Sequence, residues 1–177
     1  MRAAPDTPVW LFVSYGGGHV KALLPVAQRV RALGLARPVF LALTTAAAAV
    51  RSTGIPVLGF RDVMTASDVR ARAKGEELAG QLAVQAADWE ESVAYLGLSY
   101  IDLEERLGPT QAAEQYRQYG RQAFLPLGIL QRIVRACQPA MVVATNSPRA
   151  EQAAIQTART VGLPSVCLLD LLGIWER

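Results

Sequence analysis

The stretch from Val9 to Gly34, VWLFVSYGGGHVKALLPVAQRVRALG, decides the fold. Val9–Val13 is a short apolar run of β-branched and aromatic residues, the pattern of a strand covered on both faces. Gly16, Gly17 and Gly18 follow, where the backbone can turn sharply and approach a ligand with no Cβ in the way. From Val20 the apolar residues Leu23, Leu24, Ala27 and Val30 recur at helical spacing, with Lys21, Gln28, Arg29 and Arg31 on the opposite face. Gly34 is the expected C-cap. Pro25 predicts a kink or a late regular start. Three glycine amides and a helix N-terminus are thereby expected at the carboxyl end of the first strand. Orphan N–H groups and the helix dipole both favour negative charge there. The only histidine, His19, stands at this mouth.

Two familiar glycine loops do not fit. A Walker loop needs Gly-x-x-x-x-Gly-Lys-Ser/Thr, which the chain lacks. A dinucleotide fingerprint needs a third glycine where Lys21 stands, and an acid roughly 20 residues further on. No carboxylate lies between Asp6 and Asp62, which argues against a nicotinamide or flavin site.

The pattern Gly-Gly-Gly-His-Val-x-x-x-Leu-Pro-Val-Ala-x-x-Val-x-x-x-Gly resembles the first strand, loop and helix of GT-B glycosyltransferases. It is similar to the Gly-His-Val-x-Pro stretch of antibiotic and plant enzymes, and to the glycine-rich histidine loop of the lipid-linked GlcNAc transferase of peptidoglycan synthesis. The resemblance runs on through Pro38–Phe60, where strand, Thr-Thr, helix, Thr-Gly-Ile-Pro-Val and strand follow in order. It implies an acceptor-binding N-terminal lobe. The nucleotide-sugar donor, a UDP-sugar by this resemblance, would be bound by a C-terminal lobe or separate subunit that these residues do not resemble. No other cofactor is implied. This chain alone is then expected not to catalyse transfer.

Outside that core the rhythm is strand, helix, strand. Pro38–Leu43 reads as strand two, Thr44 or Thr45 as the cap of a helix at Ala46–Ser52, and Ile55–Phe60 as strand three. The middle, Arg61–Gly108, departs from this, with helices expected over Val69–Ala87 and Trp89–Leu107, the latter broken near Gly97. Trp89, Tyr95 and Tyr100 there fill a core beneath a helical insertion or stack on a sugar or aglycone, the former being preferred. Thr110–Ala136 reads as helical with interruptions at Pro126 and Gly128. Its apolar part, Phe124–Val134, suits core packing, with a membrane-surface patch as the alternative. Ala140–Ala144 is the expected fourth strand. Ser147 is the expected N-cap of a helix Arg149–Val161, with Pro148 at its first position. Ser165–Leu169 is the expected fifth strand. The fold class is α/β: one Rossmann-like parallel sheet over residues 1–177, with helices on both faces and a helical insertion after strand three.

Composition sets the outer bounds. The 177 residues are 51% hydrophobic and 19% charged, enough for one globular core. No stretch approaches the roughly 20 apolar residues of a membrane span, and no signal-peptide pattern opens the chain, so a cytoplasmic location is expected. The net charge of +3 hides an asymmetry: Lys21, Arg29, Arg31, Arg37, Arg51 and Arg61 precede the first acid after Asp6. A basic first lobe, Thr7 to Arg61, suits an anionic diphosphate ligand or peripheral contact with the inner face of a membrane. Nucleic acid is not indicated, because no basic stripe is interleaved with aromatics. One histidine and no Cys-x-x-Cys argue against a metal site, and Cys137 and Cys167 read as buried structural thiols.

Chemistry then falls to few residues. His19 can accept a proton from a hydroxyl at neutral pH. The resemblance implies either the base that activates a small-molecule or lipid-linked acceptor, or a contact to the acceptor's diphosphate. A base benefits from an orienting carboxylate, and Asp170 and Asp62 are candidates by position. Asn146, Ser147 and Arg149 stand at the switch region for sugar or phosphate contacts. Met141–Leu172 also resembles, loosely, the sugar-nucleotide 2-epimerases, whose acids follow strands four and five. Asn146 and Asp170 occupy those places here, which weakens that alternative. A non-catalytic sugar-phosphate-binding module is the third reading.

Overall fold

In the computed structural model, which describes residues 7–82, 84–85 and 88–169, Val9–Ser14 forms β1 and Gly17–Ala32 forms α1. The chain continues through β2 (Arg37–Ala42), α2 (Ala46–Arg51) and β3 (Val57–Leu58). Helices α3 (Val69–Gln81), α4 (Trp89–Leu107), α5 (Pro109–Tyr119) and α6 (Leu127–Cys137) follow. Then come β4 (Met141–Thr145), α7 (Ala150–Thr160) and β5 (Ser165–Leu168).

The five strands are parallel in the order β3-β2-β1-β4-β5, as expected of a Rossmann-like sheet. The sheet grows outward from β1, first to β2 and β3, then to β4 and β5 on its other side. Right-handed crossovers running in opposite directions put their helices on opposite faces. Register aligns Phe12 with Phe40 and with Val143 across three strands. The Phe12 and Phe40 rings stack with centroids 5.1 Å apart. This face packs against Val20, Leu23 and Ala27 of α1 and against Ala46 and Val50 of α2. The alternating residues Leu11, Val13, Leu41, Val142 and Ala144 are also buried. Helix α7 packs on β1, β4 and β5 and buries small residues, Ala150, Ala153, Ala154 and Ala158.

The chain divides into two compact units, the sheet unit (residues 1–58 and 133–177) and a helical unit at Gly59–Arg132, the insertion expected after strand three. Within the helical unit α3 and α4 cross at glycines. A Cβ on Gly97 would lie 1.8 Å from the Ala71 carbonyl oxygen, and one on Gly75 would lie 2.1 Å from that of Val93. Tyr95 and Tyr100 are buried, with Phe60, Tyr116 and Phe124 ringing them at centroid spacings of 5.4–5.9 Å. They fill a core, as preferred above. Asp102 accepts the Leu127 and Gly128 amides at 3.0 and 2.8 Å and so caps α6.

Several boundaries differ from expectation. Helix α1 begins at Gly17, not Val20, because the Val20 amide already reaches the Gly16 carbonyl at 3.1 Å. It runs through Pro25, whose neighbours Leu23 and Ala27 are fully buried on the sheet. β3 is cut short where Gly59 leads into a 3₁₀ turn at Phe60–Asp62. α3 stops at Gln81, and α4 passes unbroken through Gly97 because the crossing needs a residue without a side chain there. Thr110–Ala136 is two helices: α5 ends at Tyr119, and 3₁₀ residues Gly120–Ala123 precede α6. Phe124, Ile129, Leu130, Ile133 and Val134 are buried, which takes the apolar part of that stretch out of any surface patch.

Candidate functional site

The sheet order reverses between β1 and β4, and open α/β sheets bind ligands at the carboxyl ends of the strands flanking such a point. Tyr15–Gly18 leaves the end of β1 and is held from three directions. Thr44 Oγ1 donates to the Tyr15 carbonyl. Thr45 Oγ1 accepts the Gly17 amide at 3.1 Å. Glu151 Oε1 accepts the Tyr15 amide at 2.6 Å. Gly16 is the extended N-cap of α1, and Gly17, Gly18 and His19 form its first turn. The Gly17 amide is therefore occupied, a correction to the expectation of three open glycine amides. Gly18 and His19 are left with no acceptor for their amides among the described residues.

His19 is half-buried, and its Nδ1 lies 3.1 Å from Thr145 Oγ1. Its orienting partner is thus a neutral hydroxyl at the end of β4. Neither carboxylate proposed for that role is shown to take it. Asp62 accepts the Gly59 amide at 2.7 Å within its own turn of the helical unit, and Asp170 lies outside the described residues. The His19 Nε2 has no partner among the described residues.

Asn146, Ser147 and Arg149 lie together in the turn after β4. Ser147 does not cap α7. Its hydroxyl is 3.5 Å from the Pro148 carbonyl oxygen, and Arg149 is the N-cap residue, at φ +76°. A non-glycine residue in that region is strained. The conformation places the Arg149 guanidinium over the Tyr15 ring, 4.2 Å from its centroid, with Nε buried and unpartnered among the described residues.

The residue that sequence reading missed is Glu151. It stands in the first turn of α7 and is completely buried, with Oε2 unpartnered among the described residues. Burial pushes its carboxyl up from 4.5 to about 7, against the lowering influence of the Tyr15 amide, its own amide and the Arg149 guanidinium. A glutamate two residues after an N-cap ordinarily reads as a solvated partner of the helix dipole, so no signal short of the tertiary packing marks it.

Beside this mouth Thr145, Asn146, Ser147, Gln152, Gln156 and Cys167 help line a cleft of about 480 Å³. Its lining carries hydroxyl, amide and thiol groups and no charged side chain, a surface suited to a neutral hydroxylated ligand. Contrary to the expectation of two buried thiols, Cys137 at the end of α6 is half-buried, and Cys167 is exposed on β5, the edge strand of the sheet among the described residues. Among the described residues no group of three or more His, Cys, Asp or Glu could hold a metal ion, and no helix is long and apolar enough to cross a membrane. No protein-family model matches the chain, and no curated protein matches it either.

Proposed function

We propose that the chain is the acceptor-binding half of a GT-B-type glycosyltransferase. It would present an acceptor hydroxyl to the anomeric carbon of a nucleotide-sugar, by preference a UDP-sugar, held by a second lobe or subunit. The observation that carries this reading is His19: half-buried, fixed through Nδ1 by Thr145, with Nε2 unpartnered among the described residues at the switch point. A fixed imidazole with one nitrogen available is the arrangement a general base needs. The Gly18 and His19 amides and Arg149 supply contacts for an acceptor phosphate or diphosphate. The uncharged cleft at Asn146 and Ser147 accommodates the neutral part of the acceptor. The basic run before Arg61 is compatible with an acceptor at the cytoplasmic face of a membrane, in cell-envelope or glycoconjugate biosynthesis.

The test co-expresses the chain with nucleotide-sugar-binding polypeptides encoded beside it and follows UDP release from UDP-sugars. Acceptor-dependent release that falls at least a hundredfold in His19→Ala is expected, the scale of a lost general base. Acceptor-dependent release unchanged by that substitution would remove His19 from the reaction. The second reading, a UDP-sugar 2-epimerase-like half-enzyme, is favoured by Glu151, a buried acid after strand four where sequence reading found only Asn146. Conversion of the sugar without any acceptor would select it. Bound sugar nucleotide with no turnover would leave a binding module.

A further inference from the structure

Glu151 links the two halves of the switch point. One carboxyl oxygen holds the Tyr15 amide, at the start of the loop that carries the Gly18 and His19 amides. The other is buried with no donor or acceptor among the described residues. An ionised carboxylate in that position has half its charge unsolvated, whereas the neutral acid keeps the Tyr15 contact at far smaller cost. An anion arriving at the neighbouring amides makes ionisation of Glu151 costlier still, since like charges raise a carboxyl's proton affinity.

We propose, resting on the anion-binding reading of the glycine loop, that Glu151 is a positioning residue for that loop, and that a phosphate-like dianion binds there together with one proton taken up by Glu151. The proton comes from solvent, neutralises the carboxylate at Oε2, and returns to solvent when the anion leaves. The carboxyl position near neutrality supports this coupling. Among the described residues the charged group acting on Glu151 is Arg149, whose guanidinium opposes protonation, while Tyr15 meets it through its backbone amide. β4 offers no ionisable side chain, and β5 only the Cys167 thiol. His19 stands on the same mouth and is the second described residue that the experiment separates from Glu151.

The experiment measures binding of sulfate, whose charge is constant between pH 5 and 9, to the full chain by NMR, with the Gly18 and His19 amides as reporters. In the native chain the affinity is expected to fall about tenfold from pH 6 to pH 8, the effect of one coupled proton. Glu151→Gln, which keeps an acceptor for the Tyr15 amide, should bind with little pH dependence, while His19→Gln should keep most of the native dependence. Loss of the dependence in His19→Gln and its retention in Glu151→Gln overturns the proposal while leaving the anion site standing. Absence of sulfate binding at every pH overturns the anion-binding reading itself. The same titration with vesicles carrying phosphatidate headgroups shows whether a free or a lipid-borne phosphate is preferred, and either preference with the Glu151-dependent pH profile supports the coupling.

Discussion

A glutamate in the first turn of a helix normally sits in water and steadies the dipole for a fraction of a kcal/mol. Glu151 is buried instead, and desolvation outweighs the favourable influence of Tyr15 and Arg149. The consequence for stability has a definite sign. Below pH 4.5 folded and unfolded chains both hold the proton and nothing is lost. As pH rises toward 7 the unfolded chain ionises first, so the native state is progressively disfavoured, by about 3 kcal/mol once both are ionised. Glu151→Gln should therefore melt with the native chain at pH 4 and be the more stable of the two at pH 8, as denaturant titrations at the two pH values will measure. Arg149 offers the complementary case. Strain at φ +76° costs about 1–3 kcal/mol. The Tyr15 contact returns about 0.5–1 kcal/mol, and a glycine loses about 0.5–1 kcal/mol more chain entropy on folding. Arg149→Gly should then unfold no earlier than the native chain, yet lose sulfate binding at the glycine loop. Unfolding earlier, with binding intact, would make Arg149 a structural residue only.

At the scale of elements, the α3–α4 crossing depends on two glycines. Gly97→Ala would drive a Cβ to 1.8 Å from a backbone oxygen, which no side-chain rotation relieves. A loss of about 1–3 kcal/mol is expected, read by denaturant titration, with Gly80→Ala as control because its Cβ would meet open space. The control should be neutral or slightly stabilising, since alanine is the better helix former. Capping of α6 is similarly local. Asp102→Ala removes the acceptor for two helix-terminal amides and should cost about 1–2 kcal/mol. Sequence reading bounded α4 at Trp89–Leu107 but expected a break near Gly97, where the close crossing with α3 keeps the helix continuous. Periodicity for α1 and capping signals for α7 misplaced the helix starts, because both begin at conformations that sequence signals rank low: glycine inside a first turn, and a strained arginine as N-cap.

For the whole molecule, the arrangement that matters is the reversal of strand order between β1 and β4. It brings the glycine loop, His19, Thr145, Arg149 and Glu151 to one mouth across more than 130 residues of chain. The open edge at β5 gives a measurable contrast between the cysteines. Cys167 should react with maleimide faster than Cys137, whose half-burial raises its thiol pKa. Equal rates would mean that β5 is covered in solution.

While the central position of β1 came with the strand order, the sequence by itself determined the parallel α/β class, the strand–glycine–helix unit and the place of His19 within it. These follow from local hydrophobic period and from glycine placement, which act over a few residues. Only the tertiary structure decided that His19 is held by Thr145, that the Gly17 amide is taken by Thr45, and that Glu151 is buried. Those properties depend on which residues a crossover connection brings together, and on desolvation, which a residue acquires from its surroundings and not from its neighbours in the chain.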